Sequence, residues 1–107
     1  MNRRDVVLAR VFFSGSTGAK VRPAVVLSDE GYNSSGFALL SSVTTASDGY
    51  CQPLSENDAN CQFAKYSGAR FDGIIKLPSG EILKTIGKVT PEFYRKLVER
   101  IISTIRK

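Results

Sequence analysis

The sequence predicts a mainly β fold of the α+β class: a small barrel or rolled sheet of five or more short strands, finished by a C-terminal helix. Three observations carry this expectation. Apolar, β-rich runs recur between residues 6 and 88, divided by segments bearing Gly, Ser and Pro. The apolar period changes only near the end, where Phe93, Leu97, Ile101 and Ile105 fall at helical spacing. A chain of 107 residues suits a single domain, 1–107, around one core.

The elements follow in order. Val6, Val7, Leu8, Val11, Phe12 and Phe13 make a first strand without a helical stripe, and "SGSTGAK" after it reads as a loop punctuated by Gly15 and Gly18. Pro23 to Leu27 forms the second strand, and "SDEGYNSSG" reads as a further loop. "FALLSSVTT", 37–45, is the third strand. Residues 46–61 are mostly polar and form a long connection with room for a short strand or helical turn. "QFAKYSGARF" and "GIIKL" read as separate strands, "PSGE" as a tight turn, and "ILKTIGKV" as the last strand. Thr90 can cap a helix that starts with Pro91 and Glu92 and runs to about residue 106. Its other face, with Arg95, Lys96, Glu99, Arg100, Arg106 and Lys107, reads as solvated.

Composition limits the chemistry. Fifteen Lys and Arg against ten Asp and Glu give a net charge of +5, which suits a polyanion partner. No long apolar segment follows the charged start, so no signal peptide or membrane span is expected and the chain reads as cytoplasmic. Cys51 and Cys61 cannot complete a zinc set without histidine, and in a reducing compartment they read as free thiols. With no histidine anywhere, the serine and cysteine triads are excluded. No GxxxxGK[ST] phosphate loop is present, which disfavours nucleotide hydrolysis.

What remains is arginine, hydroxyl and carboxylate. Pro23 holds Arg22 extended at the start of its strand, and alternation puts Arg22 on one face with the small Ala24. The same alternation puts Ala38, Leu40, Ser42 and Thr44 on one face of the third strand. Arg70 and Asp72 share a strand face in "ARFD", as a substrate-facing pair or as a plain salt bridge.

These segments, in this order, resemble the MazF/PemK (Kid) family of toxins from toxin–antitoxin modules over nearly the whole chain. The likeness is carried by "DVVLARVFF", "RPAVVLS", "VTTASDGY", "ARFD" and "IGKVTPEFYRKLVERI", of which "RPAVVLS" is the most specific. The resemblance implies an SH3-like barrel of five to seven strands with a C-terminal amphipathic helix. It also implies a homodimer, and a metal- and cofactor-independent endoribonuclease that cuts single-stranded RNA and is neutralised by a cognate antitoxin. DNA would be met only through the antitoxin complex, and no membrane is involved.

On the matching positions, Arg22 takes the family's catalytic arginine and Thr44 its catalytic threonine. Arg70 and Asp72 take the Arg-x-Asp pair that serves as acid and base in the Kid branch. Ser16, Thr17, Lys20, Ser42 and Thr45 are the implied RNA-binding positions. The chain departs from Kid-like members at Ser16, near where those carry a histidine. Two other readings share the barrel. One is a CcdB-like gyrase poison, against which the absence of tryptophan and the ending "STIRK" argue; the other is a non-catalytic RNA-binding barrel.

Overall fold

The structure, a computed structural model, describes residues 1–12, 18–45, 48–63 and 67–106. Its elements are β1 (Asp5–Phe12), β2 (Ala19–Val26), α1 (Glu30–Asn33), β3 (Phe37–Thr44), β4 (Cys51–Leu54), β5 (Ser67–Pro78), β6 (Ile82–Lys88) and α2 (Pro91–Ile105). The six strands form one antiparallel sheet in the order β4-β5-β3-β2-β1-β6.

That order forces the sheet to roll. β5 and β6 are joined by a single 3₁₀ turn, Ser79–Glu81, yet β3, β2 and β1 lie between them in the sheet. Only a strongly curled sheet brings those strand ends together. At the other end, the segment after β4 returns to β6. Ala59 bridges Val89, and the Asn60 amide donates to the Lys88 carbonyl at 3.1 Å. Among the described residues a single bridge rather than a ladder joins the two ends, so the predicted barrel is a rolled sheet that does not fully close.

Alternation puts apolar groups on both faces. Val6, Val25, Val43, Ala69 and Val89 face α2, which seals them with Phe93, Leu97 and Ile101. Each of those helix side chains is buried, which contributes on the order of 1.5–3 kcal/mol apiece. Val7, Ala9, Val11, Ala24, Val26, Ala38, Leu40 and Leu77 form the second cluster, closed by the curl of the sheet, with Ile75 and Ile82 packed against it.

The helix starts as its sequence dictates: the Thr90 hydroxyl accepts from the Phe93 amide at 3.1 Å, with Pro91 in the first turn. The predicted apolar stripe is shorter than expected. It stops at Ile101, and Ile105 is 74% exposed. Arg95 pairs with Glu99 and Lys96 with Glu92 at i,i+4 spacing, as a solvated helix face does.

Three elements differ from expectation. β2 starts at Ala19, four residues before Pro23, because Ala19, Lys20, Val21 and Arg22 pair with Phe12, Val11, Arg10 and Ala9 of β1. "SDEGYNSSG" contains the one-turn helix α1, capped by the Asp29 carboxylate, which accepts from the Tyr32 amide at 2.9 Å. "SGARF" and "GIIKL" belong to one twelve-residue strand, β5, whose interior absorbs Gly73 in an irregularity.

Candidate active site

That irregularity builds the site. β3 pairs Ser41 with Ile74, and next Val43 with Ala69, so the single β3 residue Ser42 stands against four β5 residues, 70–73. Such a bulge frees side chains from the regular alternation and turns them toward a new direction. The displaced segment is still held. The Ser41 hydroxyl donates to the Arg70 carbonyl at 2.5 Å, the Phe71 amide donates to the Tyr50 carbonyl at 3.0 Å, and Arg70 pairs with Cys51 of β4.

On the opposite side of β3, the ladder to β2 covers only Val26, Val25 and Ala24, and ends at the Ala24–Ser42 pair. Proline fits that ending. The Leu27 amide donates to β3 and the Val26 carbonyl accepts from Arg4, so alternation turns the nitrogen of residue 23 toward β3. Pro23 has no hydrogen to donate there, and the pairing stops before it. Arg22 therefore sits inside β2 by its pairing with Ala9, yet beyond the point where β3 leaves β2.

A cavity of about 400 Å³ opens between the parted strands, lined among others by Arg22, Ser42, Thr44, Arg70, Gly73 and Ile75. Three separate strands thus bring Arg22, Thr44 and Arg70 to one pocket. Asp72 joins through Arg70: Nε donates to Oδ1 and Nη2 to Oδ2, both at 2.9 Å. Ser42 is 7% exposed, and its Oγ has no hydrogen-bond partner among the described residues.

Sequence reasoning missed the second carboxylate on Arg70. Asp48 accepts from Arg70 Nη2 at 2.9 Å through Oδ2, and from the Tyr50 amide at 3.0 Å through Oδ1. The Tyr50 amide, and after it Arg70, holds the Asp48 carboxyl below its ordinary value. The two carboxylates push the Arg70 guanidinium upward in turn, Asp72 more than Asp48. A guanidinium so placed stays charged at any working pH and acts as a fixed cation. The signal for Asp48 was its place before Gly49, since Asp with Gly marks a turn in which the carboxylate takes an amide two residues on.

A family model described as "PemK-like, MazF-like toxin of type II toxin-antitoxin system" matches residues 2–105. The chain belongs to the PemK/MazF toxin family. Among solved structures, this PemK/MazF chain is similar to the toxin MazF-mt6 of Mycobacterium tuberculosis, with a TM-score of 0.77 and 18% identity over 95% of this chain and 96% of that one. It is also similar to MazF in a MazE–MazF crystal structure from Deinococcus radiodurans, with a TM-score of 0.79 and 16% identity over 98% and 95% of the two chains. A third likeness is to a mycobacterial endoribonuclease in complex with its cognate antitoxin, with a TM-score of 0.72 and 19% identity over 98% and 92%. At these identities the likeness is one of fold. No curated protein matches the chain by sequence.

Of the remaining positions expected from the PemK/MazF resemblance, two are described and neither lines the pocket. Lys20 is exposed on β2, two residues before Arg22 and on the same strand face, while Thr45 is exposed just past the end of β3. Ser16 and Thr17 lie outside the described residues. Cys51 and Cys61 are free thiols, each pushed up by burial. Among the described residues no three His, Cys, Asp or Glu side chains come together to hold a metal ion, and no helix is long and apolar enough to cross a membrane.

Proposed function

We propose that this PemK/MazF chain, as a single toxin domain, is a metal- and cofactor-independent endoribonuclease that cuts single-stranded mRNA at specific sequences and so stops translation and growth. The observation that carries this reading is the meeting of Arg22, Thr44 and Arg70 in one pocket, with Asp72 clamped to Arg70.

RNA brings its own nucleophile, so the protein has little covalent work to do. The 2′-hydroxyl attacks the adjacent phosphorus, the bond to the 5′-oxygen breaks, and the products are a 2′,3′-cyclic phosphate and a 5′-hydroxyl. Arg22 and Arg70 grip the phosphate oxygens and stabilise the added negative charge of the pentacoordinate transition state. Asp72 takes the proton of the 2′-hydroxyl, and the leaving oxygen is protonated from solvent. Arg70 acts electrostatically, because its carboxylate partners make it a poorer proton donor than an ordinary arginine. Thr44 positions the phosphate, and Lys20, Ser42, Thr45, Ser16 and Thr17 contact the rest of the RNA.

Antitoxin complexes among the similar structures support a cognate antitoxin as partner. Exposed Val21, Ile74 and Leu83 offer apolar surface on the sheet for a protein partner, including a second copy in a homodimer. The toxin acts in the cytoplasm, where mRNA is, and meets DNA only through its antitoxin complex. Sequencing 5′-hydroxyl RNA ends after induction tests the reading. New 5′-hydroxyl ends at one recurring sequence are expected, and their absence in growth-arrested cells counts against it.

A further inference from the structure

Ser42 stands where three strands part. It closes the β2–β3 ladder opposite Ala24, and on its other side β5 bulges away over residues 70–73. Its neighbour Ser41 is fully buried and donates its hydroxyl to the Arg70 carbonyl. Ser42 is nearly as buried, lines the pocket, and has an Oγ that nothing among the described residues engages. Burying a hydroxyl without a partner costs stability, so a group of this kind calls for an explanation. The Oγ is closed off from solvent as the side chain stands, and a turn about χ1 brings it to a ligand in the pocket that Ser42 lines.

We infer that the Ser42 hydroxyl reads the nucleobase next to the scissile phosphate, and so helps to set the cleavage sequence. The RNA ligand and the phosphate held at Arg22 and Thr44 rest on the nuclease reading above; the base preference of Ser42 is tested apart from cleavage. The base is favoured over the phosphate on two grounds. Arg22 and Thr44 lie one side-chain repeat, about 6.6 Å, beyond the Ala24–Ser42 pair on the same face, so a phosphate held there leaves Ser42 at the depth of an attached group. The wall near Ser42 is apolar or bare, with Ile75 on one side and Gly73, whose missing side chain leaves open space. A flat base suits such a wall, and about 400 Å³ is within the range of small-ligand pockets.

Selectivity follows from the hydroxyl's chemistry. It can donate one hydrogen bond and accept others, and a base whose edge answers it removes the unpaired group. A base that does not answer leaves it buried and unmet, and is rejected for that reason.

The test uses the whole protein, its Ser42→Ala variant, and the four ribonucleoside 3′-monophosphates as probes, with binding followed by NMR titration and stability by thermal unfolding. The wild type is expected to bind one nucleotide about tenfold tighter than the others, and Ser42→Ala to bind all four within about twofold. The variant should melt at the same temperature or higher, because it removes an unmet polar group. A wild type without preference, a variant that keeps the preference, or a variant that melts lower would each overturn the inference. Cleavage is read separately. A wild type that cuts no RNA yet keeps the preference sinks the nuclease reading alone, and a nuclease whose Ser42→Ala form keeps its base preference sinks this one alone.

Discussion

Arg70 holds Asp72 through two parallel hydrogen bonds of 2.9 Å, made across one intervening residue inside the β5 bulge. A planar fork matched to a carboxylate fixes both partners in direction as well as in charge. Asp48 adds a third bond, so Nε and Nη2 are committed to carboxylates while, among the described residues, Nη1 is the nitrogen left to meet a phosphate.

Arg70→Lys keeps the charge and loses the fork, because an ammonium cannot serve two oxygens in one plane. RNA cleavage should fall on the order of 10²-fold, as when a single oxyanion contact is removed. Stability should change by less than about 1 kcal/mol, since the pair is partly exposed to solvent. Single-turnover cleavage and thermal unfolding check the two halves, and a fully active lysine variant would show that the clamp is structural only.

Asp48→Asn tests the second carboxylate on Arg70 through pH. The folded-state value of Asp48 lies below its ordinary 3.8, so its ionised form favours the fold; that contribution is complete above 3.8 and fades as pH falls through the lowered value. The melting-temperature gap between wild type and Asp48→Asn should therefore be constant from about pH 7 down to 5 and close under more acidic conditions. A gap that widens on acidification would contradict the assigned direction.

Gly68→Ala tests the frame. A Cβ at Gly68 would lie 2.8 Å from the Cys51 Cβ and 3.2 Å from the Gln52 carbonyl oxygen, so β4 must move away from β5. The expected loss is about 1–3 kcal/mol in denaturant unfolding, together with reduced cleavage, because Cys51 is the β4 partner of Arg70. At Gly73 an added Cβ meets nothing within 4 Å, and Gly73→Ala should leave stability within about 0.5 kcal/mol. Equal effects at the two glycines would refute the account of the bulge.

Local signals were legible in the sequence and non-local ones were not. The α2 start at Thr90 and Pro91 was readable because a cap and its target lie three residues apart. So was the contact of Arg70 with Asp72, because the two lie only two residues apart. The true start of β2 was hidden, since Gly18 reads as loop and only pairing with β1 draws Ala19 to Val21 into the sheet. The segments either side of Asp72 read as separate strands because a bulge is a relation between β5 and β3 rather than a property of either. Asp48 went unnoticed for the same reason, as its partner Arg70 lies 22 residues away in sequence. The Ile105 position fits the helical stripe, yet its side chain is exposed, because burial depends on what the helix meets and not on its period.

The central claim is that RNA supplies the nucleophile and the Arg22–Arg70 pocket supplies the charge. It is tested most directly with a ribo-oligonucleotide carrying a single 2′-deoxy nucleotide on the 5′ side of the mapped cleavage point. The account predicts that cutting at that bond stops while the all-ribose control is cut to a 2′,3′-cyclic phosphate and a 5′-hydroxyl. Continued cutting at the deoxy-substituted bond, or products ending in a 5′-phosphate, would contradict it.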